Sequence, residues 1–438
     1  MRGPLDAAMY RADRPVESWW RASAPPWREP APLAADSEAE VAIIGGGYAG
    51  LACAIRLAEL GIGSAVLEAG EIGWGASGRN GGIVGIRSDK LSDNAMIRRY
   101  GEDEFARYVR AAVAGNHRLR AFCTEAGLGD AVQGDGEFWL AHSARVAIRL
   151  EAERSEHGVG VDVVPPEKVA GIRRHGGLMF RPGFGIQPLR LVRALADRAA
   201  ALGVQVFPRS EVTRWERDGA RHRLVTAGGA VAAARVVLAT NGFTPDGLDP
   251  RLGGRAIPVI SNIGVTRVLT GEERASLAWL GDRPGADARH LLSYFRLLPE
   301  GRFLIGMRGD LRGSEAGAAR MRRALAARMA RQFPALAGVE FTHFWRGPIC
   351  ATARLTPSVG LLPGDAGIGY AFGWHGSGIN GAQVGGRLLA EVLAGEPESH
   401  IPAPLGGLAP RLPFPGLRPC YVGAMQGLFA LRDALSAF

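Results

Sequence analysis

Apolar positions along this chain follow two periods, and the alternation between them lays out its elements. Residues 41 to 44, Val-Ala-Ile-Ile, form a continuous apolar run suited to a buried parallel strand, and a second such run spans 64 to 67. Between them, 51 to 60 carries the small, apolar face of a helix packed on a sheet. Residues 92 to 127 have helical periodicity, 132 to 141 alternate as a strand, and 143 to 157 return to helix. Pro188 opens an amphipathic helix over 189 to 202. Short strands follow at 204–207, 212–217 and 222–226, around the Asp218-Gly219 turn. Residues 235 to 242 read as another buried strand whose polar end, Thr240-Asn241, faces a ligand. The span 256 to 310 is strand-like, with 294–297 and 303–306 predicted as an antiparallel pair across Pro299-Glu300-Gly301; a basic amphipathic helix covers 315–333. A last apolar helix runs from a glycine-rich turn to about Leu393. Two architectures are interleaved, one nucleotide-binding and one built on an antiparallel sheet.

The glycines after the first strand give that strand–helix–strand unit a chemistry. Gly45 suits the tight turn, Gly47 the approach of backbone to a pyrophosphate, and Gly50 close packing of helix on strand, with Tyr48 and Ala49 supplying amides at the helix start. Glu68, followed by Ala69, ends the second strand where a carboxylate can accept both ribose hydroxyls and would repel a 2′-phosphate. The ligand is an adenine dinucleotide, FAD or NAD in preference to NADP.

Composition narrows the setting. The chain has 438 residues, room for two or three domains, with 47% hydrophobic and 22% charged residues, as in ordinary globular proteins. The net charge of +9 comes almost wholly from arginine, since the only lysines are Lys90 and Lys168, and the arginines are dispersed; nucleic acid is not an expected partner. No apolar run reaches membrane-span length, and the first sixteen residues lack an apolar core, so no secretory signal is expected. Cys53, Cys123, Cys350 and Cys420 are widely spaced, which indicates neither a disulfide framework nor a metal site and fits a reducing cytoplasm.

Two further glycine-rich turns require a ligand of their own. Residues 73 to 82, Gly-Trp-Gly-Ala-Ser-Gly-Arg-Asn-Gly-Gly, can only be a loop, and 373 to 381, Gly-Trp-His-Gly-Ser-Gly-Ile-Asn-Gly, open the last helix with amides free for an electron-rich group.

Taken in order, VAIIGGGYAGLACAIRLAELG with LEAG, GWGASGRNGG, RVVLATNGF, YFRLLPEGRFLIG, FWRGPICATARLTPSVGLLP and YAFGWHGSGINGAQVGGRLLA resemble the FAD-dependent D-amino-acid oxidase-like family over residues 41 to 395. The GASGRNGG loop is most similar to the γ-glutamylputrescine oxidase branch. The resemblance implies an α/β fold of two domains: a Rossmann-like FAD-binding domain from 39–90, 185–250 and 345–400, and an antiparallel-sheet substrate domain from 91–184 and 251–344. An N-terminal arm, 1–38, and a C-terminal extension, 401–438, flank them. It also implies roles: Gly45, Gly47, Gly50 and Glu68 hold the ADP half, with Val212 facing adenine by its backbone. Ser77, Gly78, Arg79, Asn80 and Gly81 line the ribityl and isoalloxazine portions, and Gly376, Ser377, Gly378, Ile379 and Asn380 place amides at the pyrimidine edge.

The implied reaction is FAD-dependent oxidation of a carbon next to an amine nitrogen, with hydride passing to flavin N5 and the imine hydrolysed. The substrate is a secondary amine, a polyamine derivative or an amino acid, and the electron acceptor is oxygen or another oxidant. Tyr294, Arg296, Arg308, Trp345 and His375 are the candidates for substrate contact, and His375 is expected to titrate in the working pH range. A tailoring oxidase of a biosynthetic pathway and a flavin-binding interaction protein are the alternatives. This chain departs from sarcosine-oxidase-type relatives in having Gly82-Ile83-Val84 after the flavin loop where they carry arginines, no lysine beyond Lys168, and Ser377 in place of a late-turn histidine. Cys350 lies near where such relatives attach FAD covalently, but the local spacing differs, and non-covalent binding is expected.

Overall fold

The computed structural model describes residues 3–153, 160–168, 175–219 and 221–436; the end of the helix expected over 143 to 157 lies outside them. The 41–44 run becomes the end of the Ser37–Ile44 strand, at the middle of an eight-stranded sheet. It pairs in parallel with Ser64–Leu67 on one side and Gly229–Leu238 on the other. Gly229–Leu238 also pairs in parallel with Asp365–Phe372, and Ser64–Leu67 with Gln205–Phe207. Register places Ile44 opposite both Leu67 and Leu238, and Leu238 opposite Tyr370, so the turns that follow these strands emerge at one edge. This is the edge at which open parallel sheets bind ligands.

Helices Tyr48–Glu59 and Gly378–Leu393 pack together on one face of this sheet. Their contact depends on Gly386, where a Cβ would collide with the Ala49 carbonyl.

The second sheet also has eight strands, in the order Phe341–Ala351, Ile257–Val268, Arg302–Arg308, Ser293–Leu297, Gly285–Asp287, Glu137–Leu140, Gly177–Phe180, Val161–Val164. The expected hairpin is present, with Tyr294 opposite Gly306 and Leu297 opposite Phe303. One pairing departs from the antiparallel pattern: Gly285–Asp287 runs parallel to Glu137–Leu140, which joins the two stretches of chain that build this sheet. Alternating burial buries Phe295, Phe303 and Ile305 against the Glu315–Gln332 helix, through Leu325, Met329 and Phe333.

The N-terminal arm packs on the body through its indoles. Trp20 is 2% exposed, and Trp27 donates to Asp197 at 3.0 Å. At the other end, the Arg418–Leu435 helix is tied down by Arg418 on Asp246 and by Asp433 on His290 at 2.9 Å, while Leu428, Leu431 and Leu435 face outward. Among the described residues, no helix is long and apolar enough to cross a membrane, and no cluster of His, Cys, Asp or Glu could hold a metal ion.

Candidate active site

The three glycine-rich turns meet at the edge of the parallel sheet. Gly45 has φ +113°, and a Cβ there would lie 2.8 Å from the Ala239 carbonyl oxygen, so the turn presses directly on the backbone before Thr240 and Asn241. A Cβ on Gly50 would collide with the Gly45 carbonyl. The helix starting at Tyr48 has no cap from Gly47 itself, and apart from the Tyr48 amide, which Ser77 takes, its first amides are left to a ligand. Glu68 is held by the amide of Gly46 at 2.8 Å and that of Gly70 at 3.0 Å, and burial pushes its carboxyl above the ordinary carboxylate range. Val212 is buried between the strands beyond it, and Ala69 follows Glu68 at the strand end.

The 73–82 loop folds as a short helix, Ala76–Arg79, laid against this turn. Ser77 Oγ accepts the Tyr48 amide at 3.0 Å and would lie 2.8 Å from a Cβ on Gly47. Gly78 is required because a Cβ there would strike the Gly73 carbonyl. Arg79 is buried; it donates to the carbonyls of Trp74 at 2.7 Å and Arg346 at 3.3 Å and lies over the Trp74 ring at 4.6 Å. Desolvation pushes its guanidinium down to about 9, partly offset by Glu68 and Glu71. Asn80 holds the loop closed, donating to the carbonyls of Ala76 at 3.0 Å and Ser77 at 2.9 Å and accepting the Gly82 amide at 2.8 Å. The carbonyl of Asn80 in turn receives the Trp20 indole N–H at 2.7 Å.

In the late turn, His375 and Gly376 both have positive φ, +50° and +89°, and Gly378 begins a sixteen-residue helix whose N-cap, Ser377, makes no side-chain cap. Gly373 donates to the Asn241 side chain at 3.0 Å, which fixes this turn to the end of the Gly229–Leu238 strand. Asn380 is buried and turned inward, donating to the carbonyls of Ile86 at 3.2 Å and Ala112 at 2.9 Å, next to buried Ile379.

Two of the five expected substrate contacts are placed elsewhere by the structure. Arg296 is 1% exposed, and its guanidinium donates to the carbonyls of Gly82 at 2.7 Å and Ile186 at 2.9 Å and to Gln133. It pins the 73–82 loop to the second sheet, because a buried guanidinium needs carbonyl partners. Trp345, 4% exposed, donates to the Arg79 carbonyl at 2.8 Å and packs edge-on to Trp20. His375 is also corrected in one respect: desolvation, reinforced by Lys90, pushes its imidazole down to about 3, so it is neutral throughout the physiological range. Its Nε2 lies 3.4 Å from Thr352 Oγ1.

Tyr294 and Arg308 do come together. The Tyr294 ring lies where a Cβ on Gly81 would be 2.5 Å from its Cε2, and its hydroxyl is 2.9 Å from Ser261 Oγ. Arg308 donates to the His375 carbonyl at 2.8 Å and lies in the electrostatic field of Tyr294. Sequence reasoning missed Lys90, which interacts electrostatically with Arg308 and His375, and Glu137, which interacts with Lys90. No local signal marks them, since Lys90 sits on an irregular segment and Glu137 on a strand edge. Cys350 lies in the apolar cluster with Leu252, Tyr370 and Phe372, where burial pushes its thiol up to about 12.

A parallel sheet whose glycine turns converge with a half-buried acid at the end of its second strand, beside a second sheet that supplies polar side chains, belongs to an FAD-dependent oxidoreductase acting on amines or amino acids. The chain belongs to the FAD dependent oxidoreductase (DAO) family, which matches residues 40–392. It is 29% identical to the gamma-glutamylputrescine oxidoreductase of Escherichia coli over 90% of this chain and 93% of that one. To the probable oxidoreductase OrdL of Rhizobium meliloti it is 30% identical, over 87% and 89%. Among solved structures, glycine oxidase from Geobacillus kaustophilus superposes with a TM-score of 0.70 at 23% identity, covering 86% of this chain and all of that one, a likeness of fold.

Proposed function

We propose that this protein oxidises the carbon next to the nitrogen of a secondary amine or polyamine derivative, using one non-covalent FAD. The residues fit that group: Gly45, Gly47 and Gly50 leave the space that a pyrophosphate needs, Glu68 offers a half-buried carboxylate to a ribose, and the uncapped helix beginning at Gly378 presents amides to an electron-rich ring. When bound, FAD supplies the acceptor for a hydride.

The chain's own contribution is to bind, orient and exclude water. Tyr294 carries the reading, because its ring rests on Gly81 of the flavin loop while it projects from the second sheet, so a substrate held there lies over the loop. The neutral His375 removes one competing cation from the site, and Arg308 supplies a fixed positive charge. With the amine bound neutral, its lone pair forms the C=N bond as the C–H bond breaks; water then adds to the imine and releases a carbonyl compound and an amine. No protein base is needed. The burial of Cys350 in an apolar cluster, which keeps its thiol protonated, and the similarity to a gamma-glutamylputrescine oxidoreductase support the non-covalent and amine parts of the reading, and the widely spaced cysteines suit a cytoplasmic setting.

Anaerobic addition of amines and amino acids to the holoenzyme tests the proposal: an amine that bleaches the flavin band near 450 nm supports it, and admission of air then reports whether oxygen accepts the electrons. Bleaching by none of a broad panel overturns it.

A further inference from the structure

Exposed apolar surface is concentrated in one part of this protein. Among the described residues, six of the ten large apolar side chains that stand exposed fall between positions 414 and 435, and four of these lie on the Arg418–Leu435 helix. Scattered singly, such residues need no explanation; gathered on one helix, they mark a surface made to be covered.

The chain itself does not cover it, because the opposite face of the helix is already seated. Arg418 is 3% exposed and pairs with Asp246, and Val422 is buried. Asp433 accepts the amides of His290 at 2.8 Å and Leu291 at 3.0 Å, and Ser143 donates to the Ser436 carbonyl at 2.6 Å. Turning the leucines inward would break these bonds at both ends of the helix.

The order of side chains along the outer face says what fits it. Cys420, Ala424, Gly427, Leu428, Leu431 and Leu435 are all exposed, and their spacing, in steps of 4, 3, 1, 3 and 4, reads the same from either end. The first three are small and the last three are leucine. A second copy of the helix laid antiparallel, with a two-fold axis between 427 and 428, sets Leu428 against Gly427, Leu431 against Ala424 and Leu435 against Cys420. A parallel copy would set leucine on leucine and leave the small half unfilled.

Gly427 supplies an independent sign, since glycine inside a helix is costly relative to alanine. Gly423 has its reason within the chain: a Cβ there would lie 3.2 Å from Leu311 Cδ1. At Gly427 a Cβ would meet nothing within 4 Å among the described residues. What requires its small size lies outside the chain, and in the antiparallel pair it is the second copy's Leu428. A lipid surface fits less well. Interfacial helices carry basic residues beside their apolar face, whereas Arg432 is the one exposed charge on this helix.

We propose that the Arg418–Leu435 helix is a homodimer interface, in which two copies of this chain pair antiparallel and each leucine half packs on the small half of the other.

Sedimentation equilibrium of the full-length, FAD-loaded protein at micromolar concentration is expected to give twice the chain mass. Leu431→Glu, which puts a charge in the seam, and Gly427→Leu, which fills the slot for Leu428, should each raise the dimer Kd at least about tenfold. FAD content and the far-UV spectrum should stay unchanged, because both positions face outward; this separates docking from folding. Orientation is read by treating Leu435→Cys with a short bis-maleimide. Positions 420 and 435 are about 22 Å apart along one helix, beyond the reagent's span, so a peptide joining them comes from two chains. That link should disappear when Cys420→Ser is added. A monomeric wild type, a dimer insensitive to both seam substitutions, or cross-links joining 420 to 420 would overturn the proposal. A monomer that sediments with anionic vesicles would overturn it as well, assigning the face to lipid.

Discussion

Arg308 donates to the carbonyl oxygen of His375 at 2.8 Å, and this one bond ties the end of a second-sheet strand to the turn that closes the parallel sheet. Arg308→Met removes both the tie and a cation of the candidate site. A hydrogen bond from a charged group is worth about 1.5–3 kcal/mol, so kcat/KM should fall roughly 10- to 100-fold. Stopped-flow reduction, with FAD content measured on the same sample, checks this. An unchanged kcat/KM would remove Arg308 from the site.

Glu68 is the acid proposed above to take the cofactor's ribose. Glu68→Ala leaves the Gly46 and Gly70 amides without their acceptor and removes the ribose partner. Reconstitution of apoprotein, followed by flavin fluorescence quenching, should show a Kd for FAD at least about tenfold higher, equivalent to about 1.4 kcal/mol.

Glu137 makes the stability of the substrate-free protein depend on pH in an unusual direction. Burial pushes its carboxyl from the ordinary 4.5 up to about 7, partly offset by Trp139 and Lys90. A raised carboxyl pKa means that the folded state holds its proton more tightly, so the stability it contributes is complete below pH 4.5 and lost as pH rises through 7. Glu137→Gln should therefore stabilise the protein at pH 8, on the order of 1–3 kcal/mol, and leave it unchanged at pH 4. Denaturant melts at the two pH values decide; equal effects at both would contradict the assigned shift.

Gly81→Ala brings a methyl group to 2.5 Å from Tyr294 Cε2. The ring must swing away from Ser261, at a cost of about 1–3 kcal/mol in stability and with a slower reductive half-reaction. Combining it with Tyr294→Ala should recover most of the stability loss, since the clash needs both groups.

Cys350→Ser should retain its full complement of FAD and lose stability alone, by about 1–3 kcal/mol for a hydroxyl placed in an apolar cluster. Acid precipitation of the unmodified protein should leave the yellow colour in the supernatant.

What could be read from sequence was local. Parallel strands, Gly50 and Glu68 declare themselves because each answers to neighbours within one strand–helix–strand unit. The Tyr294–Gly306 hairpin is equally local, set by a short turn and alternating burial. Arg296 was misread because an arginine in a strand pattern does not reveal whether its partners are substrate atoms or the carbonyls of Gly82 and Ile186, residues far away in the chain. Lys90 and Glu137 escaped for the same reason. Glu137 comes into the field of Lys90 from the Glu137–Leu140 strand, whose parallel pairing with Gly285–Asp287 no periodicity encodes.

Trp20 donates to the Asn80 carbonyl at 2.7 Å, its own carbonyl accepts from Gln187 at 2.8 Å, and its ring faces the Arg296 guanidinium at 5.7 Å. During synthesis this indole leaves the ribosome before any of those partners exists. Trp20 is therefore made well before its last partner, and its full set of contacts cannot form until Arg296 has been translated and its strand has joined the sheet. A nascent chain released before that point carries the complete dinucleotide turn and an unfinished flavin loop.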